Sequence, residues 1–170
     1  MRIVAHRSAA RHKTTVGRVQ EIAAPAARLV QQQMGERLPP VEIAVTAYRG
    51  LPDLLSKAHQ TIVGRRRLPK ETARMRCKGT TTLTRTGVLV VVNAEACRGD
   101  LREIDATLLH ELVHAIQYGR PGARDRGIRH LRNNYGIDEI SQAEADAANR
   151  QVDLDEAEAE RYERLAIHLA

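Results

Sequence analysis

The stretch from Asp100 to Gly119 constrains this chain more than any other, because it must form a helix with two chemically different sides. Asp100-Leu101-Arg102-Glu103 has the spacing of a capping box, and Gly119 is a natural stop. At about 100° per residue, Leu109, Leu112, Val113 and Ile116 fall in one apolar arc. Thr107, His110, Glu111, His114 and Tyr118 gather on the other side. The first side has to enter a core, and the second has to face something polar. That core is aliphatic: the chain has no Phe and no Trp, and aromatic residues total 2%. Such packing does not point to a base-stacking surface for nucleic acid.

Within this helix lies His110-Glu111-Leu112-Val113-His114. Two histidines one turn apart present their ring nitrogens to a single ion, and the glutamate between them projects alongside. A metal site with a general base beside it needs this arrangement. A shuffled chain of this composition contains the pattern in only about 2% of cases, before helical context is required. Zinc calls for a third protein ligand. Continuation to a third histidine at position 120 is absent, since Gln117 and Arg120 stand where Gly and His would be needed.

Three residues compete for that third place. Glu158 is the first choice. In a helix read over 154–169 it projects within about 40° of Leu154, Tyr162, Leu165 and Leu169. A carboxylate in an apolar stripe needs a strong partner, which a cation supplies. Glu156, Glu160 and Glu163 point away from the stripe. Glu144 is second: it shares a face with Ile137, Ile140, Ala147 and Ala148, yet Ser141 to Glu144 is also capping-box spacing, which explains it without a metal. His130 is third, set beside Arg129 and Arg132 as on an exposed helix face.

The rest of the chain frames this helix. Residues 14–34 read as helix, interrupted or kinked at Pro25. Residues 41–46 alternate like a half-buried strand, and a helix beginning near Pro52 ends by Gly64. Residues 80–84 and 88–92 form a hairpin about Arg85-Thr86-Gly87. From Asp100 onward the pattern is helical, broken at Gly119, Pro121-Gly122, Gly136 and Asp153. Helices, a small sheet, then helices predict an α+β fold, and 170 residues suit one domain over 1–170.

The net charge of +6 is unevenly spread: basic residues gather before Val19 and from Arg65 to Arg85, acidic ones from Asp138 to Glu163. Solvated surface explains most such patches. A nucleic-acid or acidic partner would use Arg65, Arg66, Arg67, Lys70, Arg74, Arg76 and Lys78, but no aromatic interleaving or finger motif supports it. The longest apolar run, 88–92, is too short to span a bilayer, and the basic N-terminus lacks the apolar run of a secretory signal. A soluble, cytoplasmic protein is expected, with Cys77 and Cys97 as reduced thiols.

These residues carry a resemblance. Leu108-Leu109-His110-Glu111-Leu112-Val113-His114-Ala115-Ile116-Gln117-Tyr118 resembles the active-site helix of the zincin metallopeptidases. Glu156-Ala157-Glu158-Ala159-Glu160-Arg161-Tyr162 resembles the ligand helix of small bacterial and phage gluzincin-like peptidases of the ImmA/IrrE type. Gln142-Ala143-Glu144-Ala145-Asp146 fits the same pattern less completely, and the strand at 88–92 resembles the zincin edge strand. The resemblance covers roughly the C-terminal half. It implies a minimal zincin-like fold, a Zn2+ cofactor held by His110, His114 and Glu158, and hydrolysis of a peptide or protein substrate. Zinc-bound water has a pKa lowered from near 16 to about 7, and Glu111 would act as general base. Tyr118 or Tyr135 would supply a further oxyanion donor, and the strand ending at Val92-Asn93 would bind extended peptide by β-augmentation. The competing expectation is a catalytically silent protein of the same fold, regulatory or associated with nucleic acid.

Overall fold

The computed structural model describes residues 1–6, 11–64 and 76–169. Their order is β1 (Arg2–Ala5), α1 (Lys13–Met34), β2 (Val41–Thr46), a 3-10 turn (Tyr48–Gly50), α2 (Leu51–Val63), β3 (Gly79–Leu83) and β4 (Val88–Asn93). There follow α3 (Ala94–Cys97), α4 (Leu101–Gly119), α5 (Ala123–Asn134), α6 (Gln142–Glu163) and a closing 3-10 turn (Arg164–His168). The fold is α+β, and the described residues form one four-stranded sheet in the order β1-β2-β4-β3. β1, β2 and β4 run parallel, and β3 returns antiparallel through the expected hairpin.

The apolar run of β4 is explained by its neighbours. Val88, Val90 and Val92 join Ile43 and Val45 of β2 in a core shared with α1 and α4. Leu89 and Val91 point the other way, onto Leu51, Leu54, Leu55 and Ala58 of α2. A strand covered on both faces reads as continuous rather than alternating hydrophobicity. β4 is therefore central, paired to β2 on one side and β3 on the other. This corrects the reading of 88–92 as an edge: its backbone groups are used within the sheet, and the edge beside α4 is β3. β1 was not foreseen, because its four residues are too few to show a period.

Local signals set most element ends. Gly35 closes α1 in the left-handed region at φ 67°, and α1 runs on through Pro25. Asp100 caps α4 by accepting from the N–H groups of Arg102 and Glu103. The Glu103 carboxylate pairs with Lys78. Buried Asp105 takes two bonds from Arg18, which also donates to the Leu169 carbonyl at 2.9 Å, so α1, α4 and the C-terminal turn are tied together. Asp153 does not break the last helix. α6 starts from a reciprocal capping box between Ser141 and Glu144 and continues to Glu163, as one mildly unfavourable residue cannot interrupt 22. Leu154 is consequently 65% exposed, whereas Ala159 is fully buried against the core. Among the described residues no helix is long and apolar enough to cross a membrane.

Candidate metal centre

α4 lies with Ile104, Leu108, Leu109, Leu112 and Ile116 in the core, and its opposite side forms the floor of a cleft of about 1080 Å³. β3, α5 and α6 wall that cleft, through residues including Thr81, Gly127 and Glu156. His110 and His114 meet edge to face, with ring centroids 4.6 Å apart and their Nε2 atoms 2.9 Å apart. Glu156 closes the group from α6: Oε1 lies 3.2 Å from His114 Nε2 and Oε2 lies 3.4 Å from His110 Nε2. The three residues offer ligand atoms all within 4.8 Å of one another and could hold a metal ion.

The outer ring nitrogens decide what the inner ones present. His110 Nδ1 is 2.8 Å from Glu163 Oε1, and His114 Nδ1 is 2.7 Å from Gln117 Oε1. Both partners accept, so each neutral ring carries its proton on Nδ1 and turns an Nε2 lone pair inward. With both rings neutral, two lone pairs and a carboxylate converge on one point, an arrangement that a cation satisfies. A nitrogen, nitrogen, oxygen donor set with its outer atoms held in this way suits zinc.

Glu111 points beside this group and is 5% exposed. Thr81 Oγ1 lies 2.8 Å from its Oε2 and 2.9 Å from its main-chain carbonyl, joining β3 to α4. The strand passes so close that a Cβ at Gly79 would sit 2.6 Å from Glu111 Oε1 and 2.7 Å from its Cγ. Burial pushes the Glu111 carboxyl up to about 8; the Thr81 bond opposes this, and the charges of Glu156 and Glu163 add to it. Burial also holds His114 below its ordinary value, against the pull of the Gln117 bond.

The glutamate facing the histidines is Glu156, not Glu158. Glu158 is taken by Arg120, at 2.8 and 2.9 Å, and by Gln117 Nε2 at 2.9 Å. The arginine holds its carboxyl below the usual range. The cause is rotational. The stripe through Leu154 was expected to dock, but α6 packs through the row of Glu156, Ala159 and Glu163, where the small Ala159 admits close approach to α4. Glu144 closes its capping box and pairs with Arg129 at 2.9 Å, as the alternative reading of it required. His130 lines the cleft but stands outside the ligating group. Tyr118 also lines it, whereas the Tyr135 hydroxyl is engaged by His59 Nδ1 at 3.0 Å.

Gln117 and Glu163 were missed as site residues. Gln117 had a local signal, its i+3 spacing from His114 on one helix. Thr81 and Gly79 had none, because their roles arise from a strand far away in sequence. Cys77 and Cys97 are free thiols. Of the basic cluster, Arg65, Arg66, Arg67, Lys70 and Arg74 lie outside the described residues. Arg76 stacks 5.0 Å from the Tyr48 ring centre, and Lys78 is paired. Comparison of the chain with protein-family models, curated proteins and solved structures finds no match in any of the three.

Proposed function

We propose that this protein is a zincin-like zinc peptidase, with His110, His114 and Glu156 as the metal ligands and Glu111 as the general base. The observation that carries this reading is the convergence of two Nδ1-anchored histidines and a carboxylate next to a buried glutamate that Thr81 holds. Zinc bound there would polarise a scissile carbonyl and make water a competent nucleophile near neutral pH.

This chain's residues would supply the remainder. Glu111 would take a proton from the attacking water and return it to the leaving amine. Thr81 and Gly79 keep that carboxylate under the strand. An extended polypeptide in the cleft meets β3, the sheet's outer strand beside the site, so main-chain pairing would run along Thr80 to Thr82 and not along β4. The edge is short, and specificity falls to the α5 and α6 walls.

Metal analysis of the purified protein, with peptide hydrolysis as the second readout, tests the proposal. Stoichiometric zinc is expected in the wild type and is expected to be lost from His110→Ala, His114→Ala and Glu156→Ala. Glu111→Gln should keep the zinc and lose about 10³-fold in hydrolysis. Equal metal content in the histidine variants, or unchanged turnover in Glu111→Gln, would refute it.

A further inference from the structure

Glu158 stands outside the ligating atoms, yet it is among the most firmly held carboxylates near them, and the Gln117 amide links it to the centre. Gln117 Nε2 donates to the Asp155 carbonyl and to Glu158 Oε2, each at 2.9 Å. Neither partner has a proton to give, so the amide cannot be turned round. Its Oε1 must face His114 Nδ1, 2.7 Å away, and only an Nδ1–H satisfies that contact. Gln117 is 5% exposed, which leaves water little room to offer an alternative. The far end is anchored as well: Arg120 spans Glu158 and Glu36, with bonds to Glu36 of 2.9 to 3.3 Å.

We infer that Glu158 is a positioning residue: through the Gln117 amide it sets the tautomer of His114, so that Nε2 is left bare toward a divalent cation. The inference rests on the metal-centre reading for the cation, but the tautomer belongs to the metal-free protein too. Glu36, Arg120, Glu158, Gln117 and His114 form one relay across the end of α1, the end of α4 and α6. His110 depends on Glu163 instead and serves as an internal reference.

Two measurements on the full chain decide it. Long-range nitrogen–proton correlation spectra of the imidazoles, recorded without metal at neutral pH, report the tautomers. Titration with Zn2+ alone against a competing chelator reports affinity. His114 should be an Nδ1–H ring in the wild type. Gln117→Leu should shift it toward Nε2–H and weaken Zn2+ by about 10- to 100-fold. Gln117→Glu retains an acceptor at Nδ1 and should keep the wild-type tautomer. Glu158→Ala leaves the amide one acceptor and should give mixed tautomers with a loss of affinity smaller than that of Gln117→Leu. The His110 tautomer should not change in any of them. A wild-type spectrum and affinity in either Gln117→Leu or Glu158→Ala overturns the relay, and Glu158→Ala binding Zn2+ as poorly as His114→Ala makes Glu158 a ligand instead. If the wild type takes up no Zn2+, the metal-centre reading fails, and the tautomer comparison still decides the relay.

Discussion

α4 and α6 meet at the cluster of His110, His114 and Glu156, which could hold a metal, but they are held in opposite ways. α4 is packed from both sides: its leucines fill the core and its polar face is covered by β3 and by α6. The two histidines it supplies are 16% and 15% exposed at the side chain. α6 has one buried residue, Ala159, and the Glu156 side chain it supplies is 50% exposed. Its middle carries Val152 and Leu154 largely in solvent. Glu111 and the two histidines are thus set by the core, while Glu156 is delivered by a helix docked through its last turns. Such a division would let one wall of the cleft adjust without disturbing Glu111 and the histidines on the other.

The largest expected effect separates the two helices directly. Leu112→Ala empties fully buried volume and should cost about 2–5 kcal/mol in urea unfolding. Leu154→Ala on α6 should stay within about 0.5 kcal/mol. Equal costs would mean that α6 is seated as deeply as α4, and the contrast would be lost.

Acid should weaken the β3 side of the cleft, by way of His59. That ring is bonded to Tyr135 at Nδ1 and to Thr82 of β3 at Nε2, each at 3.0 Å, and burial lowers its pKa to about 4. The unfolded chain takes up its proton near pH 6.5, and the folded protein only near 4. The stability contributed by the neutral ring is complete above pH 6.5 and declines as the pH falls through that window. At pH 5 the loss is about 2 kcal/mol. Unfolding midpoints at pH 7 and pH 5, for the wild type and for His59→Asn, check this. An identical pH dependence in the two proteins would remove His59 as the cause.

A smaller effect sharpens the role of β3. Gly79→Ala places a methyl against Glu111 and should lower peptide hydrolysis about tenfold, or about 1.4 kcal/mol in the barrier, with zinc content unchanged. Loss of metal instead would show that the strand shifts the histidines as well as the base. The smallest concerns the N-terminal end of α6. Ser141→Ala removes its cap and should cost about 1 kcal/mol, read as faster amide exchange over the first turns with His114 signals unmoved. Changes reaching His114 would mean that α6 behaves as one rigid piece.

Whatever depends on near neighbours along the chain was legible before the fold. The 3.6-residue period put His110, Glu111 and His114 on one side of a capped helix, Ser141 and Glu144 spelled their capping box, and Gly87 marked the hairpin. Choices between distant segments were not legible. That β4 lies inside the sheet depends on its pairing with β2, and β1 is a strand only because β2 offers it an edge. The choice of Glu156 over Glu158 follows from which side of α6 turns toward α4, decided by close packing at Ala159 and by the bonds of Gln117 and Arg120. Periodicity fixes which residues share a face, but the free energy that selects the docked face comes from contacts between elements that share no local sequence.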